Sequence, residues 1–78
     1  MNSKRGLIFD INLLHRKYNL PEMNLNNIVY QFKKDAQELG ITARPDLEKY
    51  VIRKFVNTYI NRQYTSEELD AELDQLLN

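Results

Sequence analysis

The chain has 78 residues, with 11 Lys and Arg balanced by 11 Asp and Glu, one His, no Cys and no Trp. A domain of this length hides only about 60% of its unfolded surface, so the sequence predicts one domain of narrow stability margin, without room for a deep enzyme cleft. The absence of cysteine excludes a disulfide framework, a thiolate metal site and a thiol nucleophile, which leaves packing as the support.

The longest apolar runs, Leu7-Ile8-Phe9 and Tyr50-Val51-Ile52, are three residues long, against the ~20 that cross a bilayer. No signal-peptide pattern opens the chain, so the expected setting is cytoplasmic with no membrane contact. The charge balance conceals a split. Residues 1–62 hold all 11 basic groups and six acids, while residues 63–78 hold five acids and no base, so a basic body ends in an acidic tail.

Hydrophobic spacing predicts an all-α fold, a compact three- to four-helix bundle with short loops, as a single domain over 1–78 with helices near 10–18, 22–39, 45–62 and 66–77. In the first helix Asp10 is the expected N-cap, with Phe9 stapling onto Leu14. Ile11, Leu14 and Tyr18 share a face. The preceding residues 6–9 are helical or extended, and four residues are too few for periodicity to decide.

The second segment carries Leu25, Ile28, Val29, Phe32, Ala36 and Leu39 at the spacing of one apolar stripe. Gly40 stops it, since glycine reaches the left-handed conformation after a helix end without strain. Asn27, Tyr30, Gln31, Lys34 and Glu38 lie opposite. Pro45 and Asp46 suit the first turn of the third helix. There Leu47, Tyr50, Val51, Ile52, Phe55, Val56, Tyr59 and Ile60 cover more than half the circumference, which predicts a central helix packed on two sides. The fourth opens on Thr65-Ser66-Glu67-Glu68, a capping box, with Leu69, Leu73, Leu76 and Leu77 as its stripe.

Little here supports catalysis. His15 is the only imidazole, and its near polar neighbours in sequence, Asp10 and Asn19, do not make a general-base pair, so it reads as a solvated or capping side chain. Glu67, Asp70 and Asp74 approach one another on the last helix, but a divalent site needs several oxygens converging from a shaped loop, and a solvated acidic face is the simpler account. With no glycine-rich phosphate loop either, the expectation is a non-enzyme with no cofactor, no metal and no small-molecule substrate.

Two binding modes remain. In residues 11–34, the run Ile11-Asn-Leu-Leu-His-Arg-Lys-Tyr-Asn-Leu-Pro-Glu-Met-Asn-Leu-Asn-Asn-Ile-Val-Tyr places apolar Leu14, Tyr18, Leu20, Leu25 and Ile28 around Asn19, a residue tolerant of the left-handed backbone. This stretch resembles the helix-turn-helix of bacterial and phage repressors. The resemblance implies a second helix beginning near Pro21 in the major groove of double-stranded DNA, with Asn24, Asn26, Asn27 and Gln31 reading base edges. Arg16, Lys17, Lys33 and Lys34 would meet phosphates. The same asparagines serve equally as cap and turn residues, and the same lysines as a solvated face.

The other mode is a protein partner or self-association. Tyr30, Tyr59 and Tyr64 are candidate interface anchors. The acidic last helix offers Leu69, Leu73, Leu76, Asp70 and Asp74, whose leucines either close the bundle or dock into a groove elsewhere. Its acids could also fold back on the basic body. In size and charge the plan resembles phage and plasmid inhibitors, antitoxins and bacteriocin immunity proteins. The favoured reading is a small regulator that binds another protein, and the alternative is a helix-turn-helix transcriptional regulator.

Overall fold

Helix α1 spans Leu7–Lys17 and so starts three residues before the expected position. The computed structural model describes residues 6–62 and 65–77, with Ser66, Leu76 and Leu77 as backbone only. Gly6, not Asp10, is the N-cap, and the Asp10 amide donates to the Gly6 carbonyl at 3.0 Å inside the first turn. The reason is packing: Leu7, Ile11 and Leu14 form one buried stripe, and including Leu7 in the helix outweighs the capping preference of Asp10. Phe9 then lies within the helix and 46% exposed, so the expected staple onto Leu14 falls away. The open choice over residues 6–9 resolves as helix from Leu7 onward.

Two helix ends are built alike. After α1, Asn19 takes φ 50°, its amide donates to Arg16 O at 3.2 Å, and the Leu20 amide donates to His15 O at 3.1 Å. After α2, Gly40 takes φ 84°, its amide donates to Gln37 O at 3.0 Å, and the Ile41 amide donates to Ala36 O at 3.0 Å. Both are Schellman motifs. Asn19 therefore has a local reason for its left-handed backbone, independent of any DNA-binding motif.

Helix α2 covers Leu25–Glu38, and Asn24 is its N-cap, the side-chain oxygen accepting from the Asn27 amide at 3.1 Å. The helix does not begin near Pro21. Leu20 and Met23 pack against the core from the connection, and His15 Nε2 donates to the Pro21 carbonyl at 2.9 Å, which ties that connection to α1. Leu39 falls beyond the helix and is 66% exposed, so the apolar stripe ends at Ala36.

Helix α3 covers Arg44–Phe55, with Pro45 in its first turn. It does not continue as α-helix to 62. Val56–Ile60 form a π-helical turn, closed by an Asn61 amide to Val56 carbonyl bond of 2.8 Å with Asn61 at φ 62°. The β-branched Val56, Thr58 and Ile60 are poor α-helix formers, and the wider turn keeps both Phe55 and Val56 buried.

Helix α4 covers Ser66–Leu77. Its capping box forms in full: the Glu68 amide donates to Thr65 Oγ1 at 3.0 Å, and the Thr65 amide donates to Glu68 Oε1 at 2.9 Å. Among the described residues there are four α-helices and no strand, an all-α bundle. Its core joins Leu7, Ile11 and Leu14 of α1, Val29 of α2, Val51, Ile52 and Phe55 of α3, Val56, and Leu69 and Leu73 of α4. Helix α3 packs against α1 and α2, while α4 packs principally against α1. No helix among the described residues is long and apolar enough to cross a membrane.

Candidate partner-binding groove

Three elements frame one concavity on the surface: the N-terminal turn of α1, the outer face of α2 and the N-terminal part of α3. It measures about 360 Å³ and is lined by Leu7, Ile8, Asn26, Val29, Tyr30, Lys33, Arg44 and Glu48. Leu7 and Val29 are buried core residues that form its floor, while Ile8 and Tyr30, 37% and 58% exposed, are apolar walls open to water. Of its three charged residues, two are cations and one is an acid. Lys33 lies inside the groove, Arg44 Nε donates to Glu48 Oε2 at 3.2 Å, and Lys34 Nζ sits 5.6 Å from the centre of the Tyr30 ring.

The neighbouring face of α3 has a structural explanation. Lys54 Nζ donates to Asp35 Oδ2 at 2.7 Å, which ties α3 to α2, and lies 5.1 Å from the Phe32 ring centre and 5.7 Å from that of Tyr50. The Asp35 carboxylate, through that hydrogen bond above all, raises the Lys54 pKa above the ordinary lysine value. These contacts use the side chain for packing and inter-helix pairing.

The residues expected to touch nucleic acid are dispersed. Lys17 is paired with Glu72 of α4, and its Nζ lies 5.4 Å from the Tyr18 ring centre, so its charge is already matched within the chain. The side-chain oxygen of Asn24 caps α2. Arg16 is exposed on α1. Asn26, Asn27, Gln31 and Lys34 are exposed and Lys33 half-buried on α2, the largest part of the set on one element.

The expected partner residues divide similarly. Leu69 and Leu73 are 5% and 1% exposed and belong to the core, so they close the bundle and do not offer a docking stripe. Asp70 and Asp74 are exposed, and Asp70 lines a small cleft that also contains Lys49, Arg53 and Asp10. Tyr59 is 38% exposed, with its ring 5.2 Å from that of Phe55. Tyr30 is the most exposed of the described aromatic anchors. Tyr64 and the side chain of Leu76 lie outside the described residues.

Sequence reasoning missed Ile8, Arg44 and Glu48 as groove residues. One signal was present for Ile8. Three consecutive apolar residues on a helix spread over about 200°, so Leu7-Ile8-Phe9 cannot all face one core if they are helical. Arg44 and Glu48 had no such signal, because only the packing of α3 across α1 and α2 brings them beside Tyr30. Among the described residues no group of three or more His, Cys, Asp or Glu could hold a metal ion.

No protein-family model matches the chain, and neither a curated protein nor a solved structure matches it. The functional reading therefore rests on the residues themselves.

Proposed function

We propose that the protein is a small non-enzymatic cytoplasmic regulator that acts by binding another protein, with the groove between α1, α2 and α3 as the docking surface. The observation that carries this reading is the convergence of two exposed apolar side chains, Ile8 and Tyr30, over one buried floor. Apolar residues scattered singly over a surface need no explanation, but two meeting in a groove with a polar rim have the anatomy of a contact site. Tyrosine is among the residues that dominate such contacts. The biological plan would be that of an inhibitor, antitoxin or immunity protein.

The test is photo-cross-linking in the source cell with p-benzoylphenylalanine in place of Tyr30, and in place of Glu67 on α4 as a control. A discrete adduct with one protein from position 30 alone supports the reading. An adduct with a second copy of this chain assigns the groove to self-association, and no adduct from position 30 overturns the proposal.

A second reading, double-stranded DNA binding through α2, draws support from Asn26, Asn27, Gln31 and Lys34 lying exposed on one helix. Against it stand the pairing of Lys17, the capping role of Asn24, and a seven-residue connection between α1 and α2, where a helix-turn-helix uses about three to four. Amide NMR titration with mixed-sequence duplex DNA at low and physiological salt decides between them. Shifts centred on residues 16–34 that weaken with salt favour DNA, and their absence removes that reading.

A further inference from the structure

The groove's chemistry restricts its occupant further, an inference that rests on the protein-binding reading. We infer that it takes an acidic protein segment, which buries one aromatic or branched aliphatic side chain between Ile8 and Tyr30 and sets carboxylates beside Lys33 and Arg44.

Charge complementarity carries the argument. Of the residues lining the groove, only Glu48 is acidic, and Arg44 already pairs with it at 3.2 Å. A basic segment arriving here would compete with Arg44 for that single carboxylate and meet Lys33 unmatched. Lys33 has no ion-pair partner among the described residues, although it is half-buried in the groove wall. Desolvating that ammonium under a partner is favourable only if the partner brings a carboxylate, since a charge buried without a counter-ion is costly. Arg44 can join it. Its side chain is 86% exposed, and exposed pairs such as Arg44 with Glu48 hold weakly, so the guanidinium can donate to a second carboxylate at little cost.

The apolar half sets the anchor. Leu7 and Val29 form a floor closed to hydrogen bonding, and Ile8 and Tyr30 flank it. A polar side chain inserted there would lose water without gaining a partner, whereas an aromatic or branched aliphatic one would bury apolar surface on three sides. Lys34 over the Tyr30 ring adds a further cation at the rim for a flanking carboxylate.

The experiment is selection of a displayed library of random dodecapeptides on the folded full-length chain, followed by amide NMR titration of the enriched peptide. The inference expects an aromatic or branched aliphatic residue flanked by Asp or Glu, with shifts at Ile8, Asn26 to Lys33 and Arg44 to Glu48 and affinity that falls with salt. The double variant Lys33→Glu/Arg44→Glu and the single variant Tyr30→Ala should each weaken binding by about tenfold or more, with circular dichroism checking that each variant keeps its helices. A neutral or basic consensus that binds at the same amides overturns the acidic-segment inference and leaves the protein-binding reading standing. Enriched peptides that shift other amides, or no enrichment, overturn the inference and count against the groove. Shifts of the same amides by duplex DNA of mixed sequence, with no enriched peptide, overturn both in favour of nucleic acid.

Discussion

Helices α3 and α4 are each 12 residues long, yet they are anchored very differently. Helix α3 is apolar over a wide arc, buries Val51, Ile52 and Phe55, packs on both α1 and α2, and is tied to α2 by Lys54 and Asp35. Helix α4 holds the core through Leu69 and Leu73, one turn apart, and is tied to α1 through Glu72 and Lys17. The width of the apolar arc, not helix length, decides how many neighbours a helix can have. It follows that α4 is the element that should open first, because local opening costs least where few apolar contacts are lost.

The largest effect should come from Phe55→Ala. Phe55 is fully buried, and its truncation should cost about 3–5 kcal/mol, enough to unfold much of a domain this small. Thermal melting followed by circular dichroism reads it directly, and an unchanged midpoint would break the claim that α3 is central.

Leu73→Ala should cost less, about 2–3 kcal/mol, because a peripheral helix can settle into the space left behind. Its distinctive signature is in hydrogen exchange: α4 amides should lose protection while α3 amides keep theirs. Equal loss in both helices would show one cooperative unit and erase the contrast. Thr65→Ala removes half of the capping box and should cost about 1 kcal/mol, again confined to exchange in α4.

The smallest effect concerns the Lys54–Asp35 tie. Because Lys54 titrates above the ordinary lysine value when folded, the pair's contribution is fully present below the unfolded lysine value and is lost as pH rises through the raised one. NMR titration of the Lys54 side chain should show a midpoint above those of exposed lysines, and Asp35→Asn should lower it. A midpoint unmoved by that substitution would mean that the hydrogen bond does not hold α3 to α2.

Much of this architecture was legible in the chain. The all-α class, the stop at Gly40, the capping box at Thr65 and Glu68, and the left-handed Asn19 all depend on residues within a turn of one another, and local chemistry decides them. The errors share a cause as well. The start of α1 moved from Asp10 to Leu7, and α2 began at Leu25 rather than near Pro21, because burial of Leu7, Leu20 and Met23 depends on helices distant in sequence. The π-helical turn at Val56–Ile60 escaped periodicity because a single extra residue in a turn changes the phase too little to register in an apolar arc already so wide.

The candidate site was legible only in part. Tyr30 and Lys34 could be read as exposed from their position opposite the apolar stripe. That Ile8 stands beside Tyr30, that Arg44 and Lys33 share a rim, and that Leu69 and Leu73 are closed into the core required the helices to be assembled. Local spacing determines which face of a helix is apolar, since backbone geometry sets the angle between successive side chains. Which faces meet is decided by packing between segments far apart in the chain, so a groove built from three helices belongs to the tertiary structure alone.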